Sequence, residues 1–338
     1  MTLFTPSAGS VRDASRPTRR HEDRRYLALV LRRSRRDLAT ARERPPQSPE
    51  LTGAQPPPEQ TRGPASGAED DELERVRERY LDVVKRALTH LLYRPLDVHF
   101  EDLGIDVDPE MRAAAAREFA RPDFDWADVR AEGRDYPRFA QTMIGLRRLD
   151  NLQRCVATIV RDRVRGDLIE TGVWRGGATI LMRAVLEAYG DPTRAVYVAD
   201  SFCGLPEPDD TQYPADAGSR FHEAAILAVS RDEVARNFEL YGLLDDRVRF
   251  LEGWFRDTLP PLAGHPWSLI RLDGDMYEST MDALTNLYPS LSIGGFLIVD
   301  DYAYEPCQQA VADYRAEHGI TDPIEMIDWL GAYWRRAG

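Results

Sequence analysis

Three aspartates that follow two apolar segments are the residues of this chain best suited to chemistry. Asp273 comes directly after the apolar segment 267–272, and Asp300 and Asp301 come directly after the segment 295–299. Neither segment has a helical period, so both are predicted to be buried strands. If these strands are parallel neighbours, the three carboxylates meet at the carboxyl edge of one sheet, where open α/β sheets bind ligands.

A group of carboxylates at such an edge favours cation binding. Carboxylates that converge repel one another unless a cation lies between them. Ligands that are all oxygen atoms suit a hard ion such as Mg²⁺. The alternative is that each aspartate caps a helix or begins a turn and has only a structural role.

A glycine-rich turn, LIETGVWRGGAT at residues 168–179, joins the first predicted strand to its helix. Gly172 allows a tight turn and a close approach of the backbone to a ligand. The turn lacks the spacing of a dinucleotide fingerprint and that of a phosphate-binding P-loop. Glu170 precedes the glycine instead, and an acid at that position suits a ligand with a positively charged amine. The alternative is a tight strand–helix turn that binds nothing.

A second acid, Asp200, ends the next predicted strand and is followed by Ser201. An acid at this position is well placed to accept hydrogen bonds from ribose hydroxyls. Glu170 and Asp200 together predict an adenosine ligand that carries an amino group. S-adenosylmethionine fits that description better than NAD does.

Alternating strands and helices are predicted to position these residues. The predicted strands are 167–170, 195–200, 248–252, 267–273 and 296–300, and the predicted helices are 177–189, 231–241, 279–288 and 306–318. This alternation predicts a parallel sheet with helices on both faces. Helical segments are also predicted at 71–92 and 139–164, before the sheet. A polar loop at 204–220 and a helix-like segment at 221–229 follow the second strand, where we expect a lid over the ligand edge.

Composition limits the class of protein. The 338 residues carry a formal net charge of −13, which argues against nucleic-acid binding because affinity for phosphates rests on basic surface. Three isolated cysteines lack the spacing of zinc sites or disulfides, and they favour a reducing cytoplasm. No apolar run reaches the roughly 18–20 residues of a membrane span. Residues 1–70 are rich in Arg and Pro and are predicted to form a poorly ordered extension.

Five longer motifs resemble those of the macrocin/mycinamicin-type sugar O-methyltransferases. They are TMIGLRRLDNLQ at 142–153, DLIETGVWRGGAT at 167–179, DSFCGLP at 200–206, GWFRDTLP at 253–260 and LDGDMYESTMDAL at 272–284. The resemblance extends from about Asp71 to Arg336. It implies a Rossmann-like class I methyltransferase fold, with a seven-stranded, mostly parallel sheet, an antiparallel C-terminal hairpin and a helical N-terminal cap. It also implies S-adenosylmethionine as donor, Mg²⁺, a small-molecule glycoside as acceptor, and a homo-oligomer.

The resemblance implies roles for individual residues. Asp273, Asp300 and Asp301 would hold Mg²⁺. The residues that would hold the donor are Glu170, Thr171, Gly172, Asp200, Ser201, Gly253 and Trp254. Of these, Gly253 and Trp254 would lie near the adenine. Thr142 and Met143 would lie near the methionine end of the donor or near the acceptor. The acceptor-side candidates are Tyr136, His222 and Glu223, for which packing or solvated loop positions are the alternative.

A base must accept the proton of the acceptor, because a sugar hydroxyl has a high pKa. Asp275 is one candidate and Asp273 is the other, and the sequence leaves the choice open. Asp275 could instead support the metal ligands or cap the helix at 279–288.

The expected organisation is an extension (1–70), a helical cap and acceptor-side region (71–164) and a donor-binding domain (165–338). A metal-dependent enzyme that acts on a phenolic, catechol-like acceptor is the nearest rival, ahead of a nucleotide-dependent oxidoreductase and a non-catalytic binding protein.

Overall fold

The computed structural model describes residues 65–92, 126–134 and 139–338, which all belong to one compact unit. Tyr136 and the extension up to residue 64 lie outside the described residues. The first helix, α1, begins at Ala65, inside the segment that the sequence assigns to the extension. No helix among the described residues is long and apolar enough to span a membrane.

Seven strands form one sheet in the order β3-β2-β1-β4-β5-β7-β6. They are β1 Asp167–Thr171, β2 Val196–Asp200, β3 Val248–Glu252, β4 Trp267–Leu272, β5 Leu291–Val299, β6 Glu325–Met326 and β7 Ala332–Arg335. The first five strands are parallel, whereas β7 is antiparallel to both β5 and β6. The strand order reverses between β1 and β4, so the crevice for ligands opens at their carboxyl ends. The predicted fold class is therefore confirmed.

The helices cover the two faces of the sheet. They are α1 Ala65–Leu88, α2 Trp126–Ala131, α3 Leu146–Arg161, α4 Gly177–Ala188, α5 Arg231–Leu240, α6 Phe255–Thr258, α7 Tyr277–Leu287 and α8 Glu305–Glu317. One hydrophobic cluster joins the sheet to α1, α3, α4 and α5, and the other joins it to α7 and α8. Leu168 and Ile169 belong to opposite clusters because successive side chains of a strand point to opposite faces.

Two element boundaries differ from the sequence prediction for steric reasons. Helix α3 begins at Leu146 rather than near residue 139, because Gly145 is extended there and packs so closely against Gly133 that a side chain would clash. Strand β5 begins at Leu291, so the Gly294-Gly295 pair lies inside the strand, where its register with β4 shifts. A Cβ on Gly295 would lie 2.8 Å from the Ser268 carbonyl oxygen.

We expect Gly172→Ala to lower the free energy of unfolding by more than about 3 kcal/mol. Gly172 has φ +89°, and an added Cβ would overlap the carbonyl oxygen of Asp273, so the strand ends of β1 and β4 would have to separate. Gly190 is the matched control, because it has φ +67° with nothing within 4 Å of an added Cβ. Gly190→Ala should cost only the left-handed backbone term, about 1 kcal/mol. Urea unfolding of both variants measures the difference, and equal losses would contradict the close approach.

Candidate active site

The three aspartates predicted to bind a cation converge at the carboxyl edge of the sheet. Asp273 directly follows β4, and Asp300 and Asp301 directly follow β5. Each offers one carboxylate oxygen, and these atoms all lie within 4.8 Å of one another. Asp300 and Asp301 are buried, whereas the side chain of Asp273 remains 29% exposed.

Two buried arginines, which the sequence analysis missed, bind Asp300, and one of them also binds Asp273. Arg271 donates from Nη1 to Asp273 Oδ2 at 2.6 Å and to Glu170, and from Nη2 to Asp300. Arg148 Nη1 lies 2.5 Å from Asp300 Oδ2, and its Nε lies 2.9 Å from Asp328 Oδ2. One signal was available: Arg271 is a charged residue within a strand predicted to be buried, and such a residue requires partners.

The charges of this cluster fit a bound cation. Six carboxyl groups (Glu170, Asp273, Asp275, Asp300, Asp301 and Asp328) surround only two guanidinium groups. Burial, followed by the negative charges of its neighbours, raises the pKa of Asp301 well above its usual range. Asp301 Oδ2 is buried without a hydrogen-bond partner. A hard divalent ion would satisfy that oxygen and offset the excess negative charge.

Asp275 lies beside the cluster in a strained conformation. Its φ is 59°, in the left-handed region, which costs about 1 kcal/mol for a residue with a side chain. Trp174 and Phe202, which follow β1 and β2, also have positive φ angles, so left-handed backbone recurs along the ligand edge of the sheet. Burial raises the pKa of Asp275 to about 7, and the charges of Asp273 and Asp300 add to this rise. An acid with that pKa is well suited to exchange a proton near neutral pH.

Helix α7, which follows Asp275, is capped by a residue of the predicted lid. Asp216 Oδ1 accepts a hydrogen bond from the backbone amide of Tyr277 at 2.6 Å, and its Oδ2 accepts one from Glu278 at 3.0 Å. The cap of this helix therefore comes from Asp216, and the alternative role of Asp275 as its cap is wrong. A second link, from Trp174 Nε1 to the Ile226 carbonyl oxygen at 2.8 Å, also ties the loop to the sheet edge.

His222 and Glu223 lie on a short 3-10 turn of this loop, Phe221–Glu223, rather than on the longer helix-like segment expected. The ring of Phe221 lies 6.2 Å from that of Tyr304, whose backbone amide donates to the Asp301 carbonyl oxygen. The turn therefore packs against Tyr304, three residues after Asp301. Neither residue is buried, which leaves them accessible to an acceptor.

We expect Asp216→Ala to release this loop, lowering the free energy of unfolding by about 1–2 kcal/mol and raising the KM for the acceptor several-fold. The loss follows because two amides of α7 lose their acceptor and the loop loses its anchor. Ser230→Ala is the control, since Ser230 caps α5 through the Glu233 amide at the end of the same loop. That variant should lose stability without a change in KM. Steady-state kinetics with thermal melts would contradict the anchoring role if both variants changed KM equally.

The donor-side candidates follow β1, β2 and β3 along the same edge. Glu170 is buried, and its Oε2 has no hydrogen-bond partner. Asp200 Oδ2 accepts the Val173 amide at 2.8 Å and its Oδ1 accepts the Phe202 amide at 2.7 Å, so the carboxylate shapes both neighbouring turns. The Ser201 hydroxyl also lies 3.5 Å from Asp200 Oδ1, at the edge where an acid is well placed to bind ribose hydroxyls.

The other donor-side candidates have mainly backbone roles. Thr171 is buried within the sheet, and its hydroxyl lies 3.5 Å from the Arg271 carbonyl oxygen. The Ser201 hydroxyl donates to the Gly204 carbonyl oxygen at 2.5 Å. The Gly253 amide donates to the Asp200 carbonyl oxygen at 2.9 Å, which places Gly253 and Trp254 at the end of β2.

Thr142 and Met143 lie in the loop before α3 rather than within a helix. The Gln141 carbonyl oxygen accepts the Gly177 amide at 2.9 Å, and a Cβ on Gly177 would lie 2.6 Å from the Thr142 Cβ. The loop thus packs against the amino end of α4, beside the glycine-rich turn.

Comparison with known proteins identifies the family to which this site belongs. The Macrocin-O-methyltransferase (TylF) family profile matches residues 77–336. The chain belongs to this family. It is therefore an S-adenosylmethionine-dependent O-methyltransferase, as the motif resemblance implied.

Individual relatives align with most of the length of this chain. The chain is 52% identical over 263 residues to the 8-demethyl-8-(2,3-dimethoxy-alpha-L-rhamnosyl)-tetracenomycin-C 4'-O-methyltransferase of Streptomyces olivaceus, covering 78% of this chain and 94% of that protein. It is 47% identical over 263 residues to the Mycinamicin III 3''-O-methyltransferase of Micromonospora griseorubida, covering 77% of this chain and 97% of the relative. The solved structure of the O-methyltransferase NovP is similar at a TM-score of 0.66 and 44% identity, over 78% of this chain and 100% of that one.

Proposed function

We propose that this enzyme transfers a methyl group from S-adenosylmethionine to a sugar hydroxyl of a glycosylated natural product, with Mg²⁺ held by Asp273, Asp300 and Asp301. The observation that carries the proposal is the convergence of these three carboxylates within 4.8 Å at the ligand edge. The Asp301 Oδ2 adds support, because it is buried and has no hydrogen-bond partner within the part of the chain that the structure describes. The sugar is supported by the Streptomyces olivaceus relative, whose name specifies a rhamnosyl-tetracenomycin.

Different residues around the carboxylate cluster bind the donor, contact the sugar and accept the proton. Glu170 binds the amine of the donor through its unpartnered oxygen, and Asp200 binds the ribose. Asp273, Asp300 and Asp301 would hold Mg²⁺, which would supply a positive charge to orient the acceptor oxygens and to stabilise the negative charge that develops on the reacting one. Asp275 accepts the hydroxyl proton as the sulfonium methyl group is transferred. His222 and Glu223 on the anchored loop contact the sugar, and Tyr136 remains a candidate there.

The test is a methyl-transfer assay with and without Mg²⁺. Enzyme dialysed against EDTA is incubated with S-adenosylmethionine and a rhamnosylated aglycone, and the product is analysed by mass spectrometry. We expect a mass gain of one methyl group that requires Mg²⁺ and is absent with a catechol acceptor. Methylation of catechol alone would contradict the sugar acceptor, and full turnover in EDTA would contradict the metal.

We also propose a homo-oligomeric enzyme of the reducing cytoplasm. Helix α1 exposes a row of apolar side chains at alternating spacings of three and four residues, namely Leu73, Val76, Tyr80 and Val83. The cysteines of the chain are unpaired, which supports a reducing compartment. The spacing of the apolar residues on α1 is typical of helices that pair with another helix. Sedimentation equilibrium of the wild type and of Val76→Glu tests the oligomer, and an unaltered mass would contradict pairing through α1.

A further inference from the structure

Arg271 occupies a buried position between the donor side and the cation side of the site. It is the second-last residue of β4, with Glu170 of β1 as its register partner on one side and Ile298 of β5 on the other. The residue is 2% exposed. A charged side chain at such a position is stable only when it is fully paired.

The guanidinium of Arg271 connects three carboxylates that follow or end three different strands. Its Nη1 is shared by Glu170 and by Asp273 Oδ2, at 2.6 Å from the latter, and its Nη2 binds Asp300. The guanidinium is planar and rigid, so its nitrogen atoms cannot shift independently of one another. A displacement of any one of the three carboxylates therefore changes the hydrogen bonds of the other two.

We propose that Arg271 is a positioning residue that couples donor binding at Glu170 to cation binding at Asp273 and Asp300. The proposal rests on the proposed function, because it takes Glu170 as the donor site and the aspartates as the cation site. Without a cation, Asp273 and Asp300 compete with Glu170 for the same guanidinium. A cation bound to these aspartates weakens that competition, so the guanidinium holds Glu170 in one orientation and fixes its unpartnered Oε2 for the donor amine.

The coupling is reciprocal, since each ligand must change the affinity of the other by the same factor. In the wild type, we expect S-adenosylhomocysteine to bind at least about fivefold more tightly with saturating Mg²⁺ than in EDTA. Arg271→Lys keeps the positive charge but loses the fork that reaches three carboxylates. In that variant, both ligands should bind more weakly, and the ratio of the two S-adenosylhomocysteine dissociation constants should fall to about one.

Arg148→Lys is the matched control for burial and for loss of a guanidinium. Arg148 is 5% exposed and binds Asp300 and Asp328, but its hydrogen bonds do not include Glu170. We expect this variant to weaken Mg²⁺ binding while preserving the effect of Mg²⁺ on S-adenosylhomocysteine. Glu170→Gln interrupts the connection from the donor side, and it should abolish the coupling in a protein that still binds Mg²⁺.

Isothermal titration calorimetry on the full-length protein measures both ligands, and circular dichroism verifies the fold of each variant. If Arg271→Lys does not fold, the Glu170→Gln result decides. Loss of coupling in the Arg271 and Glu170 variants, but not in the Arg148 variant, would support the proposal. Coupling that survives in Arg271→Lys or Glu170→Gln, or its absence from a wild type that binds both ligands, would overturn it. A wild type that binds S-adenosylhomocysteine but not Mg²⁺ would overturn the proposed metal dependence as well.

Discussion

Asp301→Asn is expected to abolish Mg²⁺-dependent methyl transfer while leaving the metal-free protein at least as stable as the wild type. Asp301 forms no salt bridge with an arginine among the described residues, and its Oδ2 is buried without a hydrogen bond. The substitution removes a carboxyl group from a cluster in which carboxylates outnumber guanidinium groups, so repulsion in the metal-free state falls. It also removes a charged ligand, and the affinity for Mg²⁺ should drop by more than about 100-fold.

Asp300→Asn is the informative comparison, because Asp300 binds both Arg148 and Arg271. Replacing it removes a charged partner from two buried guanidinium groups. We therefore expect the free energy of unfolding to fall by at least about 2 kcal/mol. Thermal melts in EDTA and calorimetric Mg²⁺ titrations separate the two effects. An Asp301→Asn protein that melts well below the wild type in EDTA would show that Asp301 is a structural residue and not a poised ligand.

The contrast between Asp300 and Asp301 shows what the sequence can predict about this site. Both residues follow an apolar strand, and their convergence with Asp273 follows from the parallel order of β4 and β5. Their partners depend on the packing of side chains from distant segments. Arg148 lies on α3 and contacts Asp300 across 152 positions of the chain, and no local pattern encodes that pairing.

The fold was predictable because most of its elements have strong periodic patterns. The patterns predict β1 to β4 and the helices after β1, β2, β4 and β5 to within a few residues, but not the short helix α6 after β3. The predicted strand 296–300 excludes Gly294-Gly295, which lies inside β5. The role of Asp216 was not predictable, since a carboxylate in a polar loop has no periodic signal. Its two hydrogen bonds to the first amides of α7 arise only after the loop has folded over the sheet edge.

We propose Asp275 rather than Asp273 as the general base, a choice that the sequence left open. Asp273 Oδ2 accepts a hydrogen bond from Arg271 at 2.6 Å, and Asp273 is also a candidate metal ligand. Burial and the charge of Asp300 raise the pKa of Asp273, whereas the hydrogen bond from Arg271 lowers it, and a bound cation would lower it further. The pKa of Asp275 is raised by burial and by neighbouring negative charges, and no cation contributes to that shift. Asp275 is therefore the carboxyl group left to accept a proton when Asp273 holds the cation.

Asp275→Asn should consequently lower kcat by about 10²–10⁴-fold while leaving the affinities for S-adenosylhomocysteine and Mg²⁺ close to those of the wild type. Asparagine is the appropriate substitute, because it tolerates the left-handed conformation that Asp275 adopts at φ 59°. Asp273→Asn is the control, and it should lose Mg²⁺ binding together with turnover. Single-turnover rates and calorimetry distinguish the two roles. If Asp275→Asn retained kcat to within about threefold, the proton would have to pass to another group, and Asp275 would not be the general base.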